Sequence, residues 1–292
     1  MQPPAGSVSL NSLTDEQLAG AKLHPRGRPG TWVAACVVTL VALQVVYSMV
    51  NNSAFGWDVV GKYLFSPQVL TGLATTILLT IASMTLASIL GVVIAVSVVS
   101  RNPVLSTVAK GYIWFFRSIP LLVQIIFCYN FAALYPKILL GIPFLKTFYE
   151  VDTNQVITTL SASLIALSLN ESAFMAEIVR SGLASIDHGQ REAARVLGMS
   201  SWVTFRRIIM PQAMRVIIPP MGNDTIAMLK YTSLVSVIAL PELLYSTQLI
   251  SSRTFEVIPM LIVASVWYFV VTTILMFVQS KIETRFSRSV AT

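Results

Sequence analysis

Apolar runs long enough to cross a bilayer recur along the chain, separated by short polar and basic stretches. Thr31 to Val50, Val69 to Ser100, about Tyr112 to Leu134, Val156 to about Leu183 and Val257 to Ser280 are the clearest. About 20 such residues suffice, because a helix rises ~1.5 Å per residue and the hydrocarbon core is ~30 Å thick. Val69 to Ser100 has 32 residues and no charge. At ~48 Å as a helix, it must tilt, bend or project from the lipid. Its Gly72, Thr76, Thr80, Ser83 and Gly91 let a second helix come close. A further segment after Trp202 is interrupted by Pro211, Arg215, Pro219 and Pro220 and carries Asn223, Asp224 and Lys230. Such backbone is tolerated in a membrane only where protein buries it or it lines a cavity. The pattern predicts an all-α membrane protein with six transmembrane helices. The short alternating segments of a membrane barrel are absent.

The connections carry their own signals. Residues 1–30 are polar and rich in Pro, Gly and Ser, with one short helix expected from Asn11 to Ala21. They exceed the n-region of an ordinary signal peptide, and no clear small-x-small cleavage site follows the apolar run, so Thr31 to Val50 is expected to be a retained span. Asn51 to Pro67, Tyr135 to Gln155 and Pro241 to Glu256 are predicted as outer connections. The first holds Trp57, Tyr63 and Phe65, residue types suited to a membrane interface.

One polar stretch, Ser185 to Ser200, is too charged to lie in lipid and too ordered to be a plain loop. Asp187, followed three residues later by Gln190, predicts an N-cap with a capping box. Gln190 to Leu197 are good helix formers. Gly198 offers a left-handed stop, and Ser200 can cap the next turn. A surface helix of two to three turns results, with small Ala193 and Ala194 set among charged Arg191, Glu192 and Arg195. It suits docking into a partner's groove; a helix merely lying on lipid is the plainer alternative.

Composition agrees: 55% of residues are hydrophobic, 11% are charged, and the mean hydropathy is +0.73. The net charge of +7 is not a nucleic-acid signature, because the basic residues flank the spans. With six spans, twelve basic residues fall on one side: Lys22, Arg26, Arg28, Arg101, Lys110, Arg191, Arg195, Arg206, Arg207, Lys281, Arg285 and Arg288. Four fall on the other: Lys62, Lys137, Lys146 and Arg253. The positive-inside rule then puts both termini and the polar helix in the cytoplasm. Cys36 and Cys128 lie in apolar runs and read as small hydrophobes. There is no metal cluster, no nucleophile–base set and no phosphate-binding Gly-x-x-x-x-Gly-Lys-Ser/Thr loop. No catalytic residue is expected, and an energy source must sit on another polypeptide.

Two carboxylates in the Val156 span are costly in lipid. Glu177 has Arg180 three residues on and can pair with it on one face. Glu171 has no opposite charge nearby in sequence. It needs a partner from another helix, water or a substrate. Asp224 and Lys230 either pair with each other or line a pathway.

Glu192-Ala193-Ala194, Gly198 and then Ile209-Met210-Pro211 resemble the signature of ABC importer permeases. Gly189-Gln190 and Pro211-Gln212-Ala213 are similar to the polar amino acid group, the histidine/glutamine type. The resemblance covers about residues 66–285. It implies a five-helix permease core preceded by a leading helix at 31–50, with a short C-terminal tail at 286–292. It makes Ser185 to Ser200 the coupling helix, in which Gly189, Gln190, Glu192, Ala193, Ala194, Leu197 and Gly198 meet an ATPase. Asn223 and Lys230-x-Thr232-Ser233-Leu234 also match. Arg117-Ser118-Ile119-Pro120 stands where Arg-Gly-Thr-Pro is usual, and Ser172-Ala173-Phe174 where Gly-Ala-Tyr is usual, so a tyrosine hydroxyl is lost. Arg117, Glu171, Ser172, Asn223, Asp224 and Lys230 are the expected substrate-pathway residues. The implied partners are ATP-binding cassette ATPase subunits, a second permease chain, an extracytoplasmic binding protein, an amino acid substrate, polar and a cationic one among the candidates, and the lipid of a bacterial inner membrane. ATP would be hydrolysed by the partner, with no cofactor on this chain. An ion-driven secondary transporter and a membrane scaffold are the rival classes. The first typically shows internal repeats, and none is evident.

Overall fold

A computed structural model describes residues 29–142 and 146–287. The expected helix at Asn11 to Ala21, the basic residues before position 29 and Arg288 lie outside them. The chain divides into two compact units after Phe55. The first unit holds helix α1 (Pro29–Asn51), followed by a single turn at Ser53–Phe55. The side chains of α1 are exposed along its length and are almost all apolar, as lipid contact requires.

The second unit runs α2 (Trp57–Tyr63), α3 (Pro67–Val98), α4 (Pro103–Ser118), α5 (Leu121–Tyr129), α6 (Phe131–Leu134), β1 (Lys137–Ile142), β2 (Lys146–Asp152), α7 (Thr153–Val156) and α8 (Thr159–Ala184). Then come α9 (His188–Val196), α10 (Ser201–Thr204), a π-helical turn (Phe205–Ile209), α11 (Met210–Tyr231), a 3-10 stretch (Thr232–Ile238), α12 (Leu243–Thr254) and α13 (Val257–Ser287). Among the described residues four helices are long and apolar enough to span: Gly30–Asn51, Pro67–Val98, Thr159–Ala184 and Val257–Phe286. Two bent pairs bring the number to as many as six.

α8 is the centre of the second unit. It packs against α3, α4, α5 and α11. Leu79, Met84 and Ala87 of α3 meet Ala162, Ala166, Leu167 and Met175 of α8, together with Ile125 and Met228, in one buried cluster. The small residues expected to permit close approach do so. A Cβ on Gly91 would lie 2.5 Å from Cβ of Met175, and one on Gly72 2.8 Å from Cβ of Ser246 on α12. A reciprocal cap between Thr158 and Ser161 starts α8, and Asn102 accepts from the Val104 and Leu105 amides at the start of α4.

Four sequence expectations change. The third span, expected from about Tyr112 to Leu134 with a kink or a helix start at Pro120, keeps that break but not those bounds. It starts at Pro103 and bends by 101° between α4 and α5. Pro120 has no amide hydrogen and drives Ile119 into extended backbone (φ −101°, ψ 131°), which ends α4. The carbonyls this frees are satisfied by Gln124, whose Nε2 donates to Phe116 O (2.9 Å) and Ile119 O (2.8 Å).

Second, Pro219 and Pro220 do not break their span. They lie inside α11, since proline's fixed φ is itself helical. The break comes later, at left-handed Ala239 (φ 61°), and the two parts bend by 44°. Third, Pro241 to Glu256 forms α12 rather than a surface connection, and it buries Leu243, Ser246, Thr247 and Ile250. Fourth, the Tyr135 to Gln155 loop contains an antiparallel hairpin, β1–β2. Its foot is tied where the Thr153 amide donates to Pro136 O (3.0 Å).

Candidate functional site: a docking helix and a polar seam

Two groups of predicted residues form two places. The first is α9. Asp187 caps it, accepting from the Gly189 amide at 2.6 Å. The capping box does not close, because Gln190 turns the other way and its Oε1 accepts from Gln212 Nε2 at 2.6 Å. Gly198 stops the helix at φ 68°. The Met199 amide reaches Ala194 O and the Gly198 amide reaches Arg195 O, both at 3.0 Å. That double bond pattern is the Schellman stop, and it needs a residue at ease with positive φ.

Gly189, Gln190, Glu192, Ala193, Leu197 and Gly198 are exposed. Ala194 is not; it turns inward and is 1% exposed. Val196, Leu197 and Trp202 stand out at 87%, 76% and 66% exposure, an apolar knob beside charged Glu192 and Arg195. Two polar ties hold the helix to the core. Arg191 Nη2 donates to Leu183 O of α8 (3.0 Å), and the Gln212 bond reaches α11.

The second place is a polar seam along α8. Glu171 is buried at 3% exposure. Its partner comes from another helix and is also acidic: its carboxyl faces that of Asp224 on α11. Glu171 Oε1 has no hydrogen-bond donor among the described residues. Asp224 makes no ion pair with Lys230, which is exposed. Asn223 is exposed too, and its Oδ1 accepts from Gln279 Nε2 of α13 (2.9 Å). Asn223, Lys230, Gln279 and Glu283 line an open cleft of about 430 Å³.

Ser172 is buried. Its hydroxyl is fully buried between helices, 2.8 Å from Tyr112 Oη of α4 and 2.8 Å from its own helix at Leu169 O. Arg117 stands at the end of α4 with its guanidinium 5.1 Å from the Phe174 ring centroid. The two line another cleft, of about 270 Å³, with Pro120, Asn170 and Tyr231. Glu177 and Arg180 pair as their spacing predicts, at 2.6 Å.

The family described as "Binding-protein-dependent transport system inner membrane component" matches residues 87–288. The chain belongs to that family. It is 44% identical to the arginine transport system permease protein ArgU of Corynebacterium glutamicum over 266 residues, 90% of this chain and 82% of that one. It is 34% identical to the probable amino-acid ABC transporter permease protein YckA of Bacillus subtilis, covering 77% of this chain and 91% of that one. A solved amino acid ABC transporter with histidines matches with a TM-score of 0.64 and 35% identity, over 76% of this chain and 95% of its own.

Sequence reasoning missed several residues that hold this permease together. Glu242 is completely buried. Its carboxyl accepts from the amides of Leu244 (3.0 Å) and Tyr245 (2.8 Å), Tyr268 Oη (2.8 Å) and Thr76 Oγ1 (3.3 Å). It therefore caps α12 and joins α3, α12 and α13. Pro241-Glu242 ahead of an apolar run was the available signal, since an acidic residue suits a helix start. Gln124, Asn170 and Tyr112 carried no comparable signal, because their partners are distant in sequence.

Proposed function

We propose that this chain is the membrane-spanning subunit of an ATP-driven importer for a polar amino acid. The observation that carries this is the exposed, doubly capped α9, tied to both helices that bear Glu171 and Asp224, on a chain of the binding-protein-dependent family. Two such chains, or this one and a similar one, form the path. ATP-binding cassette subunits dock on α9 through Ala193, Leu197 and the neighbouring Glu192, and hydrolyse the ATP. A binding protein delivers the amino acid from the opposite side. The basic bias supports a cytoplasmic position for α9 and both termini.

ATPase closure moves α9, and its ties at Leu183 and Gln212 pass that movement to α8 and α11. Glu171 and Asp224 there form an acidic site that favours a cationic group of the substrate, its α-ammonium or a basic side chain. Asn223 and Lys230 line the path on α11.

Co-purification from native membranes tests the central claim, comparing wild type with Gly198→Asp. Aspartate at φ 68° gives up the glycine's ease at the stop of α9 and sets a negative charge at that helix's C-terminal end, while the spans stay inserted. We expect an ATPase to travel with the wild type and to be lost from the variant. An intact wild-type protein that never carries an ATPase would sink the reading.

A further inference from the structure

We propose that the end of α13 is a binding site for an anionic phospholipid, its phosphate held by Lys281 and Arg285 and its acyl chains laid along the apolar stripe before them. Between Val257 and Ser280 the helix carries no charge. Lys281 comes ~36 Å along the axis from Val257, at ~1.5 Å per residue. That is just past a hydrocarbon core of ~30 Å, at the level of the lipid phosphates. The site needs neither the importer reading nor a particular side of the membrane.

α13 packs against α2, α11 and α12. Val270, Ile274, Phe277, Lys281 and Arg285 follow one another at three- and four-residue steps, so they share one face of the helix. Each of them is exposed. The face is thus apolar along the hydrocarbon and cationic at its end, the order of parts in a phospholipid.

Neither cation makes an ion pair with a described residue. Lys281 Nζ stands 4.4 Å from the Phe277 ring centroid, so its stem follows the lipid-facing ring and its ammonium stays at the polar end. Glu283 lies between the two in sequence but does not balance them. It faces the α11 side, where its Oε1 accepts from Gln279 Nε2 (2.7 Å) and it lines the cleft of Asn223 and Lys230. With Ser280 and Thr284, the two cations line an open cleft of about 460 Å³. A phosphodiester offers the paired oxygens that a guanidinium fork matches, and the ammonium adds a second set of donors. Two unbalanced positive charges favour a headgroup that brings no ammonium of its own, so the site selects an anionic lipid over a zwitterionic one.

Native mass spectrometry of the full-length chain tests this. The protein is delipidated in neutral detergent and offered equimolar dioleoyl phosphatidylglycerol and dioleoyl phosphatidylcholine. The wild type should retain the glycerol lipid about five-fold or more in preference to the choline lipid, the effect of at least one basic residue at a lipid surface. Lys281→Gln with Arg285→Gln should abolish the preference. Lys281→Arg with Arg285→Lys keeps both charges and should hold it within about two-fold. Lys62→Gln with Arg253→Gln removes the same charge from exposed positions elsewhere and should leave it unchanged. Excess glycerophosphoglycerol or inorganic phosphate should not displace the lipid, since neither has acyl chains to lay on the stripe.

Thermal unfolding in lipid-free detergent, with wild-type midpoints expected for all three variants, verifies that each is folded. A wild type without preference overturns the site, as does a preference that survives the double glutamine variant. Equal loss in the Lys62 and Arg253 variant means that net charge alone attracts the lipid, and displacement by the free phosphates means a phosphate site rather than a lipid one. Either result overturns the proposal.

Discussion

Glu242 decides more of the fold than any residue that stands out in the sequence. Four donors converge on its carboxyl, from α3, α12 and α13. Each such bond contributes about 1 kcal/mol, and leaving a buried donor without a partner costs more. Glu242→Ala should therefore destabilise the protein by about 3 kcal/mol or more and splay α12 from α3. Glu242→Gln keeps one acceptor oxygen and should lose roughly half as much. Thermal unfolding in detergent measures both, and wild-type behaviour of the alanine variant would refute the hub. The expected site residues fared differently from one another, for physical reasons. The Glu177–Arg180 pair was legible because both partners lie on one helix, three residues apart. The partner of Glu171 was not, because Asp224 lies on another helix and is acidic as well. Ser172 drew notice as a departure from a family pattern, yet its hydroxyl is engaged with Tyr112 inside a helix contact.

Among the elements, α9 was readable almost residue by residue, since caps and stops are local: Asp187 and Gly198 act as their types predict. The side chain of Gln190 was not, because a distant glutamine competes with its own helix end for it. The Gln190–Gln212 bond (2.6 Å) and the Arg191–Leu183 bond (3.0 Å) are the polar ties from α9 to α11 and α8. Removing the first should loosen one arm of the transmission without touching the ATPase surface. Gln212→Ala should leave ATP hydrolysis near wild type and lower uptake per ATP about five-fold, the effect of roughly 1 kcal/mol. Proteoliposomes reporting both rates provide the check, and uptake that falls only in step with hydrolysis speaks against the tie. Other elements hid behind ambiguous signals. Prolines at 219 and 220 look like breakers but fit a helix, and Pro120 breaks one because the residue before it must extend. α12 looked like a connection because its apolar face covers only half of a short helix.

At the scale of the whole molecule, the all-helical membrane character was legible in long apolar runs, while the expectations of six spans and of a cytoplasmic α9 rest on those runs and on the placement of basic residues, signals that do not depend on tertiary contacts. The helix pairing around α8 was only foreshadowed, by Gly72 and Gly91, since a small residue announces a close approach without naming the partner. The bent pairs matter for sidedness. α8 alone separates the hairpin β1–β2 from α9, so the two lie on opposite sides of the membrane, and whether α4–α5 crosses once or is re-entrant decides which of them is outside. Single cysteines at Ser200 and Phe148, in a chain whose Cys36 and Cys128 are replaced by alanine, separate the possibilities. A membrane-impermeant maleimide applied to intact cells should label Phe148→Cys only. Ser200→Cys should react once the cells are opened. Both positions are exposed, so failure to react from outside reports the membrane rather than burial. Labelling of Ser200→Cys from outside with Phe148→Cys protected would mean that α4–α5 is re-entrant and does not cross, and α9 would then face away from any cytoplasmic ATPase. Sidedness and the proposed coupling thus stand or fall together, because a helix that docks an ATPase must emerge where ATP is.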